Sequence, residues 1–174
     1  MKLLKEALRA AVEEDDVETE LITLADKEIK PCDACRTCRT TKECHIRDDV
    51  ESIFNKMVDA DGIILATPVY FGSATPQMKA LIDRVGYLAG SRGRPLENKV
   101  GGPMVVARRA GQNFTFAQLM FFFFIKGMII PGTTYWTVGF GGREKGKALE
   151  DEEGVRTARN FGKKVVWLIK KLKK

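Results

Sequence analysis

The stretch GIILATPVYFGSATPQMKALIDRV, residues 62–85, decides the fold. Its first five residues are small or apolar and do not alternate with polar ones, a run that suits a parallel strand covered on both faces. Residues 67–74 read as a loop. Thr75-Pro76 then supplies a capping hydroxyl followed by a proline at the first helical position. Met78, Leu81, Ile82 and Val85 recur at helical spacing and form the buried stripe of that helix.

Working outward, the same alternation continues. Upstream, Leu3, Leu4, Ala7, Leu8, Ala11 and Val12 repeat with helical period, so the chain opens in a helix. Residues 17–24, VETELITL, alternate and read as a strand. A helix from about Asp49 carries Val50, Ile53, Phe54, Met57 and Val58 on one face, with Asp48 or Asp49 as its cap. Downstream, residues 89–98 form a polar, basic loop and residues 104–107 another strand core. Residues 108–113 read as a loop, and residues 114–126 as a helix ended by Gly127. A final strand lies within residues 128–138, interrupted by Pro131-Gly132, before the glycine-rich loop 139–146. The last helix begins near Asp151, with Val155, Ala158, Phe161, Gly162, Val165, Val166 and Ile169 inward. Strands alternating with helices imply right-handed crossovers and an α/β, doubly wound parallel sheet in three layers, α/β/α. Ligands bind such sheets beyond the carboxyl ends of the strands. Three loops belong there: a cysteine-containing loop, residues 67–74, and residues 108–113.

Residues 1–174 suffice for one domain with a sizeable core, with the cysteine loop inserted at about 31–47. The longest apolar run, residues 120–125, is too short to span a bilayer, and the charged N-terminus has no signal-peptide pattern. These features predict a cytoplasmic protein with no membrane partner. The net charge of +6 is concentrated partly in Lys163, Lys164, Lys170, Lys171, Lys173 and Lys174. No nucleic-acid motif accompanies it, so the tail reads as a solvated helix end whose cations suit the C-terminal pole of the helix dipole.

The four cysteines of the chain fall within thirteen residues, as Cys32-x2-Cys35-x2-Cys38-x5-Cys44. Clustered cysteines in a reducing compartment point to metal or redox chemistry rather than disulfides. Thiolates bind iron and zinc alike, and a structural zinc site ordinarily uses two separated pairs. A C-x2-C-x2-C run is a ligand pattern for a cubane iron–sulfur cluster, which a fourth thiolate completes. The reading is therefore a [4Fe-4S] cluster on Cys32, Cys35, Cys38 and Cys44, with zinc or free thiols as the alternatives and His45 as a bystander. Lys30, Arg36, Arg39, Lys42 and Arg47 surround the loop and would raise a cluster's potential.

The cysteine loop, together with ATPVYFGSATPQMKALIDR (66–84) and VVARRAGQN (105–113), resembles the iron–sulfur flavoproteins of the NAD(P)H-dependent FMN reductase group, which share a flavodoxin-like fold. The resemblance covers nearly the whole chain. It implies that Thr67, Pro68, Val69, Tyr70, Phe71, Gly72 and Ser73 line FMN, and that Arg108, Ala110, Gly111 and Gln112 approach the flavin edge. On the residues alone, Tyr70 and Phe71 are equally readable as packing residues, and Arg108 and Arg109 as surface charge. Members of that group begin with a strand and a Ser/Gly/Asn/Thr-rich phosphate loop. The residues here open at the helix that follows them, so the expectation is a flavodoxin-like sheet without that usual first strand and phosphate loop, the start lying further upstream or the position being rebuilt as the alternatives.

A flavin exchanges two electrons and a cubane cluster one, so the pair would convert between them. No acid or base side chain is nominated as catalytic. The resemblance implies electron transfer from a ferredoxin-like carrier through cluster and FMN to a small acceptor. An NAD(P)H-dependent FMN or quinone reductase without a cluster is the competing reading, and a zinc-stabilised binding module is another. Phe121, Phe122, Phe123 and Phe124 cover every face of a helix, which predicts an oligomer interface, and the family forms dimers and tetramers.

Overall fold

The computed structural model describes residues 1–144 and 146–173. Lys145 of the glycine-rich loop and Lys174 of the basic tail lie outside the described residues. In chain order the elements are α1 (Lys2–Ala11), α2 (Thr37–Thr41), α3 (Val50–Asp59), β1 (Gly62–Pro68), α4 (Pro76–Ser91), β2 (Val100–Ala107), α5 (Gln112–Ile125), β3 (Val138–Phe140) and α6 (Glu152–Leu172), with a 3-10 turn at Lys147–Leu149. The strands lie in the order β1-β2-β3 and both pairings are parallel, with Leu65 opposite Pro103 and Val105 opposite Val138.

Side chains on successive strand residues point to opposite faces, and here both faces are covered. Ile63, Leu65 and Val105 pack with Phe54, Met78, Leu81, Val85, Leu119 and Phe123 from α3, α4 and α5. Ile64, Ala66, Met104 and Val106 pack on the other side with Leu3, Ala7, Ala158, Phe161 and Val165 from α1 and α6. The result is the expected three-layer α/β/α arrangement. Thr75 caps α4 by accepting from the Met78 N–H at 3.3 Å. Asp151 caps α6, accepting from the Gly154 N–H at 2.9 Å while its other oxygen accepts from the Phe140 N–H at 2.8 Å, so one carboxylate starts the helix and holds the end of β3.

Three expectations change. Residues 17–24 form no strand. Their alternation is the side-chain pattern of a strand, but a strand also needs a neighbour for its backbone donors and acceptors. No described strand runs beside them, and β1 has β2 as its one described strand partner. Ile22 and Leu24 still pack on the core, so the apolar half of the pattern is used. The last strand sits at Val138–Phe140 rather than within residues 128–138, where Ile129 alone bridges, to Val100. The basic segment after α4 is shorter than read, because the helix runs on to Ser91.

Pro103 explains the break in the outer strand. The N–H groups of Gly101 and Val105 point to the β3 side, donating to Ile129 and Thr137 carbonyls at 3.0 and 2.9 Å. The residue between them on that side is Pro103, which has no N–H to give. The chain departs from the sheet over this interval and rejoins it at Val138, and the Thr137 hydroxyl donates to the Pro103 carbonyl.

The α1–α6 crossing is set by Gly162, where a Cβ would fall 2.1 Å from the Ala7 carbonyl oxygen and 2.8 Å from its carbon. Gly→Ala within a helix ordinarily gains up to about 1 kcal/mol. Here the backbone itself blocks the methyl, so Gly162→Ala is expected to lose about 1–3 kcal/mol through overpacking, read as a lower urea midpoint with an unchanged slope.

Candidate functional site

Two loops meet at the carboxyl end of the sheet. Val69 extends the ladder, donating its N–H to the Val106 carbonyl at 2.9 Å. Tyr70 and Ser73 then exchange N–H···O bonds of 2.9 and 3.1 Å around Phe71 (φ 51°) and Gly72 (φ 78°). Two consecutive positive φ values are the signature of a type I′ turn. Gly72 adopts this at no steric cost, but a bulky aromatic there costs about 1–2 kcal/mol. Phe71 is nevertheless held at the turn tip with its ring fully exposed, and Tyr70 beside it is about half exposed. The turn is clamped from behind: Gln118 of α5 accepts from the Ser73 hydroxyl at 3.0 Å and from the Ala74 N–H at 2.9 Å.

Thr67, by contrast, is buried, and its hydroxyl accepts from the Thr75 N–H at 3.2 Å, joining the end of β1 to the start of α4. Pro68 is exposed. In the second loop, a Cβ on Gly111 (φ 89°) would lie 2.9 Å from Val69 Cγ1 and 3.1 Å from Gly72 Cα. The two loops therefore touch, and only glycine permits it. Arg108, Arg109 and Ala110 are exposed, and among the described residues neither arginine forms an ion pair. The Gln112 Oε1 is shielded from solvent without a hydrogen-bond partner among the described residues. A shielded acceptor left unpaired in the residue after Gly111 is one a donor brought by a ligand could satisfy.

The cysteines gather elsewhere. Cys32, Cys35, Cys38 and Cys44 line one pocket, closed by Ile46, Arg84, Tyr87 and Leu88. All four are free thiols. Cys38 rides on the single-turn helix α2, whose ends are set by left-handed Arg36 (φ 63°) and Lys42 (φ 65°), and Ala34 (φ 57°) is left-handed too. Three such non-glycine residues in one short loop mark a tightly wound backbone. Burial pushes the Cys38 thiol up, and the neighbouring Cys44, Cys32 and Cys35 add to it. Sulfurs gathered on one pocket repel one another once ionised unless a cation accepts them, so the donor set fits a thiolate-bound metal centre. His45 Nε2 lies 2.7 Å from Asp33 Oδ2, and the ligand atoms of Asp33, Cys35 and His45 all fall within 4.8 Å of one another at the exposed rim of the loop. The Cys35 N–H foremost holds Asp33 below the usual carboxylate range.

Arg84 was absent from the sequence reading and is the hub of this pocket. Its Nη1 pairs with Asp48 and donates to the Lys30 carbonyl at 3.3 Å. Its Nη2 donates to Cys44 Sγ at 3.1 Å and to the Ile46 carbonyl at 3.0 Å. Both Arg84 and Asp48 side chains are almost entirely buried. The available signal was a charged residue at an apolar register: Arg84 lies three residues after Leu81 and four before Leu88, both core positions. Just past the end of α4, Arg92 Nε donates to the Lys42 carbonyl at 2.6 Å. One helix thus carries the turn of Phe71 at its start and the cysteine loop on its later turns. From Thr75 to Arg84 the rise is about 13 Å.

A family model described as NADPH-dependent FMN reductase matches residues 1–142. The chain belongs to that family, and within it to the iron–sulfur flavoproteins, which makes it a flavin-dependent oxidoreductase with a flavodoxin-like fold. An iron–sulfur flavoprotein of Methanocaldococcus jannaschii is 47% identical over 99% of this chain and 91% of the relative. One from Methanosarcina thermophila is 37% identical over 99% of this chain and 89% of the relative. Among solved structures, RosB with a bound 8-demethyl-8-formylriboflavin-5'-phosphate superposes with a TM-score of 0.77 over 98% of this chain and 72% of that one, at 18% identity. A WrbA-like flavodoxin from Agrobacterium tumefaciens gives 0.64 over 98% and 89%, at 17% identity.

Asp48 supplies a pH test. Burial alone would raise its carboxyl, but the bonds from Arg84 and from the Lys30 and Val50 N–H groups outweigh it and hold the group below the usual value of 3.8. Its contribution to stability is therefore complete above that pH and is lost as the pH falls through the depressed native value. Asp48→Asn is expected to lose about 3 kcal/mol at neutral pH and to flatten the acid limb of stability, measured by urea midpoints from about pH 7 down to 2.

Proposed function

We propose that Cys32, Cys35, Cys38 and Cys44 hold a [4Fe-4S] cluster and that residues 67–73 with Arg108, Ala110, Gly111 and Gln112 hold FMN, the protein passing electrons between a carrier and a small acceptor. The single observation that carries the cluster reading is the convergence of all four thiols on one pocket. The flavin reading is supported by the strained aromatic tip at Phe71, the glycine contact between the loops, and the unpartnered Gln112 oxygen. When bound, the cluster would supply single-electron steps and the flavin paired ones. The chain's own part is to set where each sits. Tyr70 and Phe71 offer faces to a ring, Arg108 and Arg109 offer cations to an anionic edge, and α4 fixes the spacing of the two sites. The donor in this reading is a ferredoxin-like protein or NAD(P)H. The net charge of +6 favours an acidic protein donor through faster encounter.

Assembly as a homodimer or homotetramer belongs to the same proposal. Phe122 and Phe123 of α5 are buried, while Phe121, Phe124 and Ile125 stand about 70% exposed on its outer face, with Phe114 exposed at its start. A second copy of the chain would cover that apolar face.

Two measurements test this. Protein purified without oxygen should be brown, with about four irons per chain and one FMN, and Cys38→Ala should lose the iron while keeping the flavin. Yellow, iron-free wild-type protein would instead identify a flavin-only reductase, and colourless protein with zinc a binding module. Phe121→Glu/Phe124→Glu should shift the sedimentation coefficient toward the monomer. An unchanged oligomer would remove α5 from the interface.

A further inference from the structure

We propose that Arg84 sets the reduction potential of the metal centre through the N–H···S bond it donates to Cys44; the inference rests on the cluster reading above. The case begins with cost. Arg84 occupies a core register of α4, flanked by Leu81, Val85 and Leu88, and is among the largest fully buried side chains. A buried ion pair is commonly no more stabilising than an apolar residue of the same volume. Its Nε is shielded without a partner among the described residues, so the site is not arranged to satisfy the guanidinium fully. What the arrangement does achieve is direction. Asp48 engages Nη1 and leaves Nη2 facing Cys44 Sγ at 3.1 Å. Lys30, Arg36, Arg39, Lys42 and Arg47 are exposed and screened by water, whereas Arg84 is the buried cation lining the pocket.

A hydrogen bond and a positive charge at a ligating sulfur favour the reduced cluster, which carries one more negative charge. Arg84 therefore raises the potential, and Asp48, the opposing charge on the far side of the guanidinium, moderates the rise. Arg84 is a positioning residue, acting through Cys44 without touching a substrate.

The experiment compares anaerobically purified wild type, the Arg84→Met/Asp48→Asn double variant, and Asp48→Asn alone. Each is assayed for iron and acid-labile sulfide, for thermal midpoint by circular dichroism, and for the cluster's midpoint potential by redox titration followed by electron paramagnetic resonance. The double variant removes both charges and leaves neither orphaned. Its potential is expected to fall by the equivalent of a tenfold change in the oxidised-to-reduced ratio, about 59 mV for one electron. Asp48→Asn, which leaves Arg84 uncompensated, is expected to move the potential in the opposite direction. A role confined to stapling the loop lowers the thermal midpoint in both variants without opposite shifts in potential. Unchanged potentials in iron-replete variants overturn the proposal. If the double variant loses its iron, Asp48→Asn decides alone: a rise supports the assignment, and an unchanged or lower potential overturns it. Wild-type protein without iron or sulfide fails at the earlier step, the cluster reading itself.

Discussion

The buried pair between Arg84 and Asp48 is the constraint on which the rest of the site depends. The cysteine loop carries no fully buried side chain between Thr37 and Thr41, and only Cys38 and Cys44 pack part of their surface on the core, so hydrophobic burial contributes little to its shape. It is fixed from outside. One guanidinium binds Asp48, two backbone carbonyls and a cysteine sulfur, and Asp48 in turn collects the N–H groups of Lys30 and Val50. Both ends of the segment are thus tied to a single turn of α4. Removing one partner would strand a charge in a dry interior, which makes the arrangement cooperative rather than a sum of small contacts.

At the other end of α4 the controlling factor is backbone conformation. A type I′ turn throws Phe71 outward, and Gly111 brings the second loop to within contact of Val69 and Gly72. Holding an aromatic at positive φ costs free energy, and the compensation is visible in the surroundings: Gln118 clamps the turn from α5 and Thr67 anchors it to α4. The cysteine pocket and the Phe71 turn thus abut one helix, and their spacing along it follows from the helical rise.

Much of this was legible in the residues. The unalternating run 62–66 and the Thr75-Pro76 start of α4 stand where expected, because a both-sides-covered strand and a capped helix have local signatures. Residues 17–24 were misread for a physical reason: alternation reports which side chains face inward, while strand formation also requires a neighbouring backbone. Pro103 was readable too, as a missing donor, but its consequence required knowing which side of β2 it faced.

The sequence by itself determined the layered α/β scaffold, the spacing of the four thiols and the glycines at 72 and 111, because periodicity and backbone freedom are properties of neighbouring residues. Only the tertiary structure decided that Arg84 reaches Cys44, that His45 meets Asp33, and that the Phe71 turn sits at the start of α4 while the cysteine loop packs on its middle and later turns. Those are contacts between residues 12 and 40 positions apart, and no local pattern encodes them until the chain has closed its core around them.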